Sequence, residues 1–462
     1  MNVVLISTYE LGHQPFGIAS PAAWLHAQGA HVTCLDLALQ TLDRSAVAQA
    51  DLVAFYLPMH TATRIAVELI GRVKTLNPQA HLCCFGLYAP MNELYLRKLG
   101  VATILGGEFE SGLVTLYQRL ATQASGTAAP AQLEPVIALT KQTFLTPMRS
   151  GLPALAQYAS LDLGNGRRHI VGYTEASRGC KHLCRHCPIV PVYNGRFRIV
   201  AREVVLADIR QQVAAGAQHI TFGDPDFFNG PGHAIPLVQA LHAEFPTLTY
   251  DVTIKVEHLL QHADQLPILR DTGCLFITSA VEAVDDTILQ ILDKGHTRAD
   301  FVQAAALCRT LGLALNPTFV AFSPWISAAG YLDLLRVIAE LDLVEQVAPI
   351  QYAIRLLIPS GSRLLELPTT QALVGAFDEA ALAYPWTHPD ARVDQLQKAI
   401  LRLVQQGEAQ GATRSAIFAQ VWALAQATLN ADEQHPHLSL PALAVADGRR
   451  GFVPRLSEPW YC

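Results

Sequence analysis

The chain is poor in charge: Asp, Glu, Lys and Arg make up 16% of its 462 residues, against 51% hydrophobic residues. Its net charge of −6 carries no basic excess, which argues against an electrostatic footprint for nucleic acid. No apolar run is long enough to cross a bilayer, so no membrane partner is expected. The start, Met1-Asn2-Val3-Val4-Leu5-Ile6, lacks the basic region of a secretory leader and runs straight into strand-like sequence. No internal repeat is evident. Gly and Pro, at 30 and 27, are at ordinary levels, which excludes a low-complexity chain. The length suggests roughly two to four domains. Nine cysteines, three of them clustered, argue for metal binding over disulfides and for a reducing cytoplasm.

That cluster is the most informative stretch. It reads Ser177-Arg178-Gly179-Cys180-Lys181-His182-Leu183-Cys184-Arg185-His186-Cys187-Pro188, a C-x3-C-x2-C pattern. Three thiols this close converge only if the backbone loops around something that binds sulfur, an iron–sulfur cluster or zinc. Structural zinc sites want four ligands, usually as two spaced pairs, and no second C-x2-C exists, although His182 and His186 interleave with the thiols. A four-iron cluster held by three cysteines keeps one iron open to a small molecule. The spacing resembles the radical S-adenosylmethionine (radical SAM) superfamily. The resemblance implies that Cys180, Cys184 and Cys187 hold a [4Fe–4S] cluster whose open iron chelates S-adenosylmethionine. It also places His186 near the adenine, where the family more often has an aromatic residue. The remaining thiols, Cys34, Cys83, Cys84, Cys274 and Cys308, lie in apolar segments and read as core.

Residues 1–123 alternate strand and helix, with strands at 3–7, 31–37, 52–57, 82–85 and 103–105 and a helix at 61–76. This predicts an α/β, flavodoxin-like, doubly wound parallel sheet with its crevice at the carboxyl ends of the strands. The run Asp51-Leu52-Val53-Ala54 and Gly106-Gly107-Glu108-Phe109-Glu110 resemble the cobalamin-binding domain that precedes many radical SAM domains, which makes cobalamin a candidate cofactor. Two features depart from it: the D-x-H-x-x-G signature is absent, and Phe85-Gly86-Leu87-Tyr88 stands where that family commonly has Gly-Gly. Leu87 and Tyr88 would intrude on the corrin or its tail.

Residues 124–160 read as a linker, with a short strand near 136–139. From 161 to 360, strands at 173–176, 219–222, 249–254, 275–280, 314–321 and 348–357 alternate with helices, predicting a partial (β/α)6 barrel. Chemistry then sits on loops at the carboxyl ends of its strands. Residues 361–450 read as a helical extension and 451–462 as a tail.

In the barrel, Gly223-Asp224-Pro225-Asp226 follows the second strand, where the radical SAM family has a turn that receives the amino group of S-adenosylmethionine. The resemblance assigns that role to Gly223, Asp224 and Pro225, and a ribose-binding role to Ser279 and Glu282 after the fourth strand. Without it, the first stretch is a turn signal and Glu282 a helix-start carboxylate. Lys294-Gly295-His296-Thr297 reads as a helix end followed by a Thr N-cap. Lys255, Glu257 and Arg355 alternate with apolar neighbours and are expected inside the barrel, bound to substrate or to one another.

The chain closes on Glu458-Pro459-Trp460-Tyr461-Cys462. With Tyr56-Leu57-Pro58-Met59-His60-Thr61-Ala62-Thr63 and Tyr384-Pro385-Trp386-Thr387-His388-Pro389, this ending resembles a radical SAM family named for a Cys-Sec-Ala-Glu-Pro or Cys-Cys-Ala-Glu-Pro tail. The resemblance implies a selenocysteine codon after Cys462 and a catalytic thiol there. The reading is a cytoplasmic radical SAM enzyme acting on a small molecule or peptide, supplied with electrons by a flavodoxin or ferredoxin. Two alternatives stand beside it: a cobalamin-dependent radical methyltransferase, and a metal-stabilised regulatory module without catalysis.

Overall fold

The computed structural model describes residues 1–125, 133–164, 166–430 and 453–457; Cys462 lies outside them. The first sheet holds β1 (Asn2–Ser7), β2 (His31–Asp36), β3 (Leu52–Tyr56), β4 (His81–Phe85), β5 (Thr103–Gly107) and β6 (Ile137–Ala138). Their spatial order is β2-β1-β3-β4-β5-β6, with every pair parallel. The apolar runs are continuous because both faces are covered. Val3, Leu5, Leu52 and Ala54 pack against the helices Phe16–Ala27 and Phe109–Ala124. Val4, Ile6, Val53 and Phe55 pack on the other face against His60–Leu76. The strand read at 136–139 is β6.

A second sheet follows. Its antiparallel edge is β7 (Ser160–Asp162), paired with β8 (Arg168–Thr174). A hairpin of β9 (Ser177–Gly179) and β10 (Phe197–Ile199) stands apart. Then come β11 (His219–Phe222), β12 (Thr249–Thr253), β13 (Cys274–Glu282) and β14 (Ala314–Phe319), parallel to β8 and in the order β14-β13-β12-β11-β8-β7. Helices Arg202–Ala214, Pro231–Glu244, Asp286–Leu292, Arg298–Leu311 and Ala328–Glu340 cover the outside and enclose the larger core. The result is a curled half-barrel.

The sixth strand expected at 348–357 is reduced. Pro349, which has no N–H to give a ladder, opens a 3-10 turn over Pro349–Tyr352. A single bridge between Phe322 and Arg355 survives, through Phe322 N–H to Ile354 O (2.9 Å) and Leu356 N–H to Phe322 O (2.7 Å). Arg355 therefore does not enter the barrel. It donates to Asp394 Oδ1 at 2.6 Å, lies 3.4 Å over the Trp386 ring, and so fastens the helix Ala391–Ala409. That helix packs beside Arg414–Asn430, and β15 (Arg455–Leu456) returns to pair with β7.

Candidate functional site

The carboxyl ends of the two sheets face each other, and the cysteine loop lies between them. It leaves β9 and is held from three sides. Asn229, after β11, accepts from Lys181 N–H at 3.1 Å. Arg185 donates to the carbonyls of Gln290 (3.0 Å) and Ile291 (2.9 Å), the free end of the helix Asp286–Leu292. Ser362 Oγ donates to Arg185 O at 3.1 Å. Cys180, Cys184 and Cys187 are unbridged; Cys184 is buried and the other two are partly covered. Burial pushes the Cys187 thiol up to about 12, with Cys184 and Cys180 close enough to add to the shift. Three close thiols without a disulfide, one buried and two partly covered, are a donor set that suits soft metal centres, which must displace the thiol protons.

Against this loop stands a buried polar trio that the sequence reading found only in part. Glu282, at the end of β13, adopts φ +70°, an uncommon conformation for a residue other than glycine. Its Oε1 lies 3.1 Å from His186 Nε2 and 3.4 Å from Lys294 Nζ. Burial alone would raise the Glu282 carboxyl, but Lys294 and His186 overcome that and hold it at about 2. Burial also works against the charge on Lys294; Glu282, Cys184 and Cys187 outweigh it and raise its pKa. Lys294 is thus a buried cation beside two of the thiols, not merely a helix end. The helix before it closes on Asp293 in the left-handed region, while Thr297 is an N-cap with a capping box to Asp300. His296 is buried; burial first, then Lys294 and Lys255, push its imidazole down to about 4 and keep it neutral.

Other expected residues fall differently. Gly223 is required by a neighbour: a Cβ there would come within 1.8 Å of Tyr173 Oη. Asp224 serves the scaffold. Its Oδ2 accepts from Ala176 N–H (2.9 Å) and its Oδ1 from Ser177 Oγ (2.5 Å), tying the β11 loop to β9. Burial raises its carboxyl to about 7. Pro225 sits partly covered between them. Ser279 shares a strand face with Ile277 and Val281, which belong to the helix-facing core, so its side chain is directed towards the helices. Lys255 and Glu257 lie at the mouth rather than inside: β12 ends at Thr253, Lys255 precedes the helix Val256–Gln261, and its Nζ is 3.0 Å from Glu257 Oε2 and 3.0 Å from His182 Nδ1.

Across the interface, the crevice of the first sheet is filled. Arg178 enters it from β9, pairs with Glu110 (2.7 Å) and Glu175 (2.7 Å), lies 3.8 Å from Glu108, and covers the rings of Phe16, Phe109 and Phe144. Tyr193 donates to Glu108 at 3.2 Å. The Tyr56 ring lies so close that a Cβ on Gly17 would meet it at 2.0 Å. Arg149 adds a second link to Asp208 at 2.7 Å and to Gln14 at 2.8 Å.

A half-barrel with a three-cysteine loop after its first parallel strand defines a class. Residues 174–321 match the family model described as Radical SAM superfamily, and this part of the chain is similar to the domain that the model describes. Such a domain implies a [4Fe–4S] cluster and S-adenosylmethionine. Two tRNA-2-methylthio-N(6)-dimethylallyladenosine synthases are similar. That of Sulfurihydrogenibium sp. (strain YO3AOP1) is 25% identical over 42% of this chain and 45% of its own length. That of Chlorobium chlorochromatii (strain CaD3) is 25% identical over 37% and 39%. The chain thus spans less than half the length of these relatives. Two solved structures share the fold of the whole. The cobalamin-dependent S-adenosylmethionine radical enzyme OxsB has a TM-score of 0.66 at 14% identity, covering 88% of this chain and 67% of that one. The methyltransferase TsrM from Kitasatospora setae has a TM-score of 0.63 at 16% identity, covering 87% and 89%. No helix among the described residues is long and apolar enough to cross a membrane.

Proposed function

We propose that Cys180, Cys184 and Cys187 hold the [4Fe–4S] cluster and that the enzyme carries out radical chemistry on a small molecule or peptide in the cytoplasm, with a flavodoxin or ferredoxin as electron donor. The observation that carries this reading is the loop itself: three free thiols in eight residues at the carboxyl-end mouth of a parallel half-barrel. When bound, the cluster and S-adenosylmethionine supply a one-electron reductive cleavage of the sulfonium, and with it a carbon radical able to attack unactivated positions. The chain's own residues do the rest. Arg185, Asn229 and Ser362 fix the loop. Lys294 offsets negative charge beside Cys184 and Cys187. Glu282 orients both Lys294 and His186. The net charge of −6 makes a tRNA substrate a poor fit despite the names of the relatives.

Cobalamin does not fit the crevice as built. The OxsB and TsrM structures hold bound cobalamin, but here Arg178, its carboxylates, Phe16, Phe109 and the Tyr56 ring fill the crevice of the first sheet. We therefore read the first domain as a docking partner for the barrel and derive no step through a corrin. The test is anaerobic reconstitution of the full chain with iron, sulfide, dithionite and S-adenosylmethionine. The expected result is about four irons per chain and release of 5′-deoxyadenosine or a methyl-transfer product. Each of Cys180→Ala, Cys184→Ala and Cys187→Ala should abolish both. Zinc in place of iron, with no cleavage of S-adenosylmethionine, would refute the reading and favour the regulatory module.

A further inference from the structure

The barrel mouth holds a second set of donor atoms that this chemistry does not use. His182 lies between the first two loop cysteines, Asp226 follows β11, and His258 sits on the helix after β12. His258 Nδ1 is 2.7 Å and His182 Nε2 is 3.6 Å from the same oxygen, Asp226 Oδ2. One ligand atom from each residue lies within 4.8 Å of the other two. Asp226 and His258 are 1% and 6% exposed. None of the three atoms has an aligned hydrogen-bond partner. Buried polar atoms are nearly always satisfied; here His258 and Asp226 stand at ion-pair distance without an aligned hydrogen bond, and three such atoms from two loops and a helix, turned on one point, have the form of an open coordination sphere.

We propose that His182, Asp226 and His258 bind one divalent first-row transition cation, at a site separate from the three cysteine thiols. Two imidazoles and a carboxylate suit Fe²⁺, Zn²⁺ or Mn²⁺ better than they suit Ca²⁺ or Mg²⁺, which want oxygen alone. Donors held at about 2.0–2.2 Å from such an ion sit roughly 3–3.5 Å apart. His182 and Asp226 are already near that span, and the His258–Asp226 pair has to open by only a few tenths of an ångström. Ligation through His182 Nε2 requires its proton on Nδ1. Lys255 Nζ, which only donates, lies 3.0 Å from that nitrogen; metal binding requires it to withdraw to Glu257 alone, and Glu257 Oε2, 3.6 Å from Nδ1, then accepts the proton. His182 is the most exposed of the three, so the open coordination positions lie on its side. There a water or a substrate bearing oxygen or nitrogen donors completes the sphere, within the mouth that holds the cysteine loop.

The test uses the cluster-loaded full chain, so that the cysteines are occupied, and Mn²⁺ as the probe, because thiolates are poor ligands for it. Electron paramagnetic resonance of free Mn²⁺ should reveal one tight equivalent per chain. Asp226→Asn and His258→Gln should each abolish it, and Glu257→Gln should weaken it roughly 10–100-fold. Iron content and cluster absorbance, measured on each variant, report whether the loop has kept its fold. No tight equivalent in the wild type would overturn the proposal, as would tight binding that survives both ligand substitutions. Loss of the cluster in both ligand variants would also overturn it, since the trio would then be a brace for the cysteine loop.

Discussion

Two crevices at the carboxyl ends of parallel sheets meet in this molecule, and they have opposite characters. In the first, the protein occupies its own ligand position: Arg178 balances Glu110 and Glu175, and aromatic rings take the remaining volume. In the second, at the half-barrel mouth, polar groups are gathered and left open, with three unbridged thiols and three orphaned donors from His182, Asp226 and His258. The same topology can therefore end in a seal or in a site. What decides is whether the charged groups brought together there neutralise one another or point at a common vacancy.

Breaking the seal should have the largest effect. Arg178→Ala would leave Glu110 and Glu175 buried without their cation, and stranding one side of a buried ion pair costs ~3–5 kcal/mol. We expect a fall of that size in the denaturant-derived unfolding free energy, or loss of soluble protein. Arg178→Lys should recover only part of it, since an ammonium cannot serve two carboxylates in the fork geometry of a guanidinium. Little change in the alanine variant would mean that the two domains are held elsewhere.

The mouth should respond less in stability and more in cofactor retention. Glu282→Gln removes the anion between His186 and Lys294 and leaves Lys294 buried as a cation. Loss of a hydrogen bond to a charged group costs about 1.5–3 kcal/mol. The variant should fold yet hold less iron after reconstitution. Iron content equal to wild type would show that the trio orders the barrel without serving the cluster loop.

Opening the first crevice tests whether it is a seal or a closed site. The full chain, reconstituted with hydroxocobalamin and desalted, should retain no corrin absorbance. Stoichiometric corrin in the unmodified protein would show that Arg178 and Tyr56 move aside, and would return the radical methyltransferase reading to first place.

Much of this contrast was legible in the sequence, but unevenly. The doubly buried strands of the first sheet are continuous apolar runs, and the C-x3-C-x2-C spacing announced the loop. Leu87 and Tyr88, expected to intrude on the first crevice, pack instead into the core on the His60–Leu76 face. What fills that crevice, Arg178, was hidden: it stands beside the cysteines yet acts across the domain interface, with Glu108 and Glu110 some 70 residues away. Lys294 was read as a helix end because its partner Glu282 lies across a turn, on the previous strand. The sixth strand was overread because an apolar run containing Pro349 satisfies a strand pattern without being able to complete a ladder. Ser279 rests on the motif alone; in the strand it shares the face of Ile277 and Val281. His182, Asp226 and His258 come from two loops and a helix, so only the folded barrel brings them together; the histidines interleaved with the cysteines were the one available hint.

The smallest expected effect separates the two regions by pH. Burial first, and then the neighbouring carboxylate Glu110, raise Glu108 against the pull of Arg178, to about 7 from 4.5. Because its folded pKa lies above its unfolded one, the folded protein holds a proton that the unfolded chain has released. The associated stabilisation is complete below about 4.5 and is lost as pH rises through about 7. Thermal stability should therefore drift down between pH 5 and 7.5, and Glu108→Gln, which fixes the neutral form, should remove its share of that drift; Asp224, also raised to about 7, supplies another share. Glu282 shifts the other way, down to about 2, so its contribution is constant over the same interval and is lost only as the pH falls from about 4.5 towards 2. An unchanged slope in Glu108→Gln would place the pH-sensitive group outside the domain seal, with Asp224 of the barrel the next to replace.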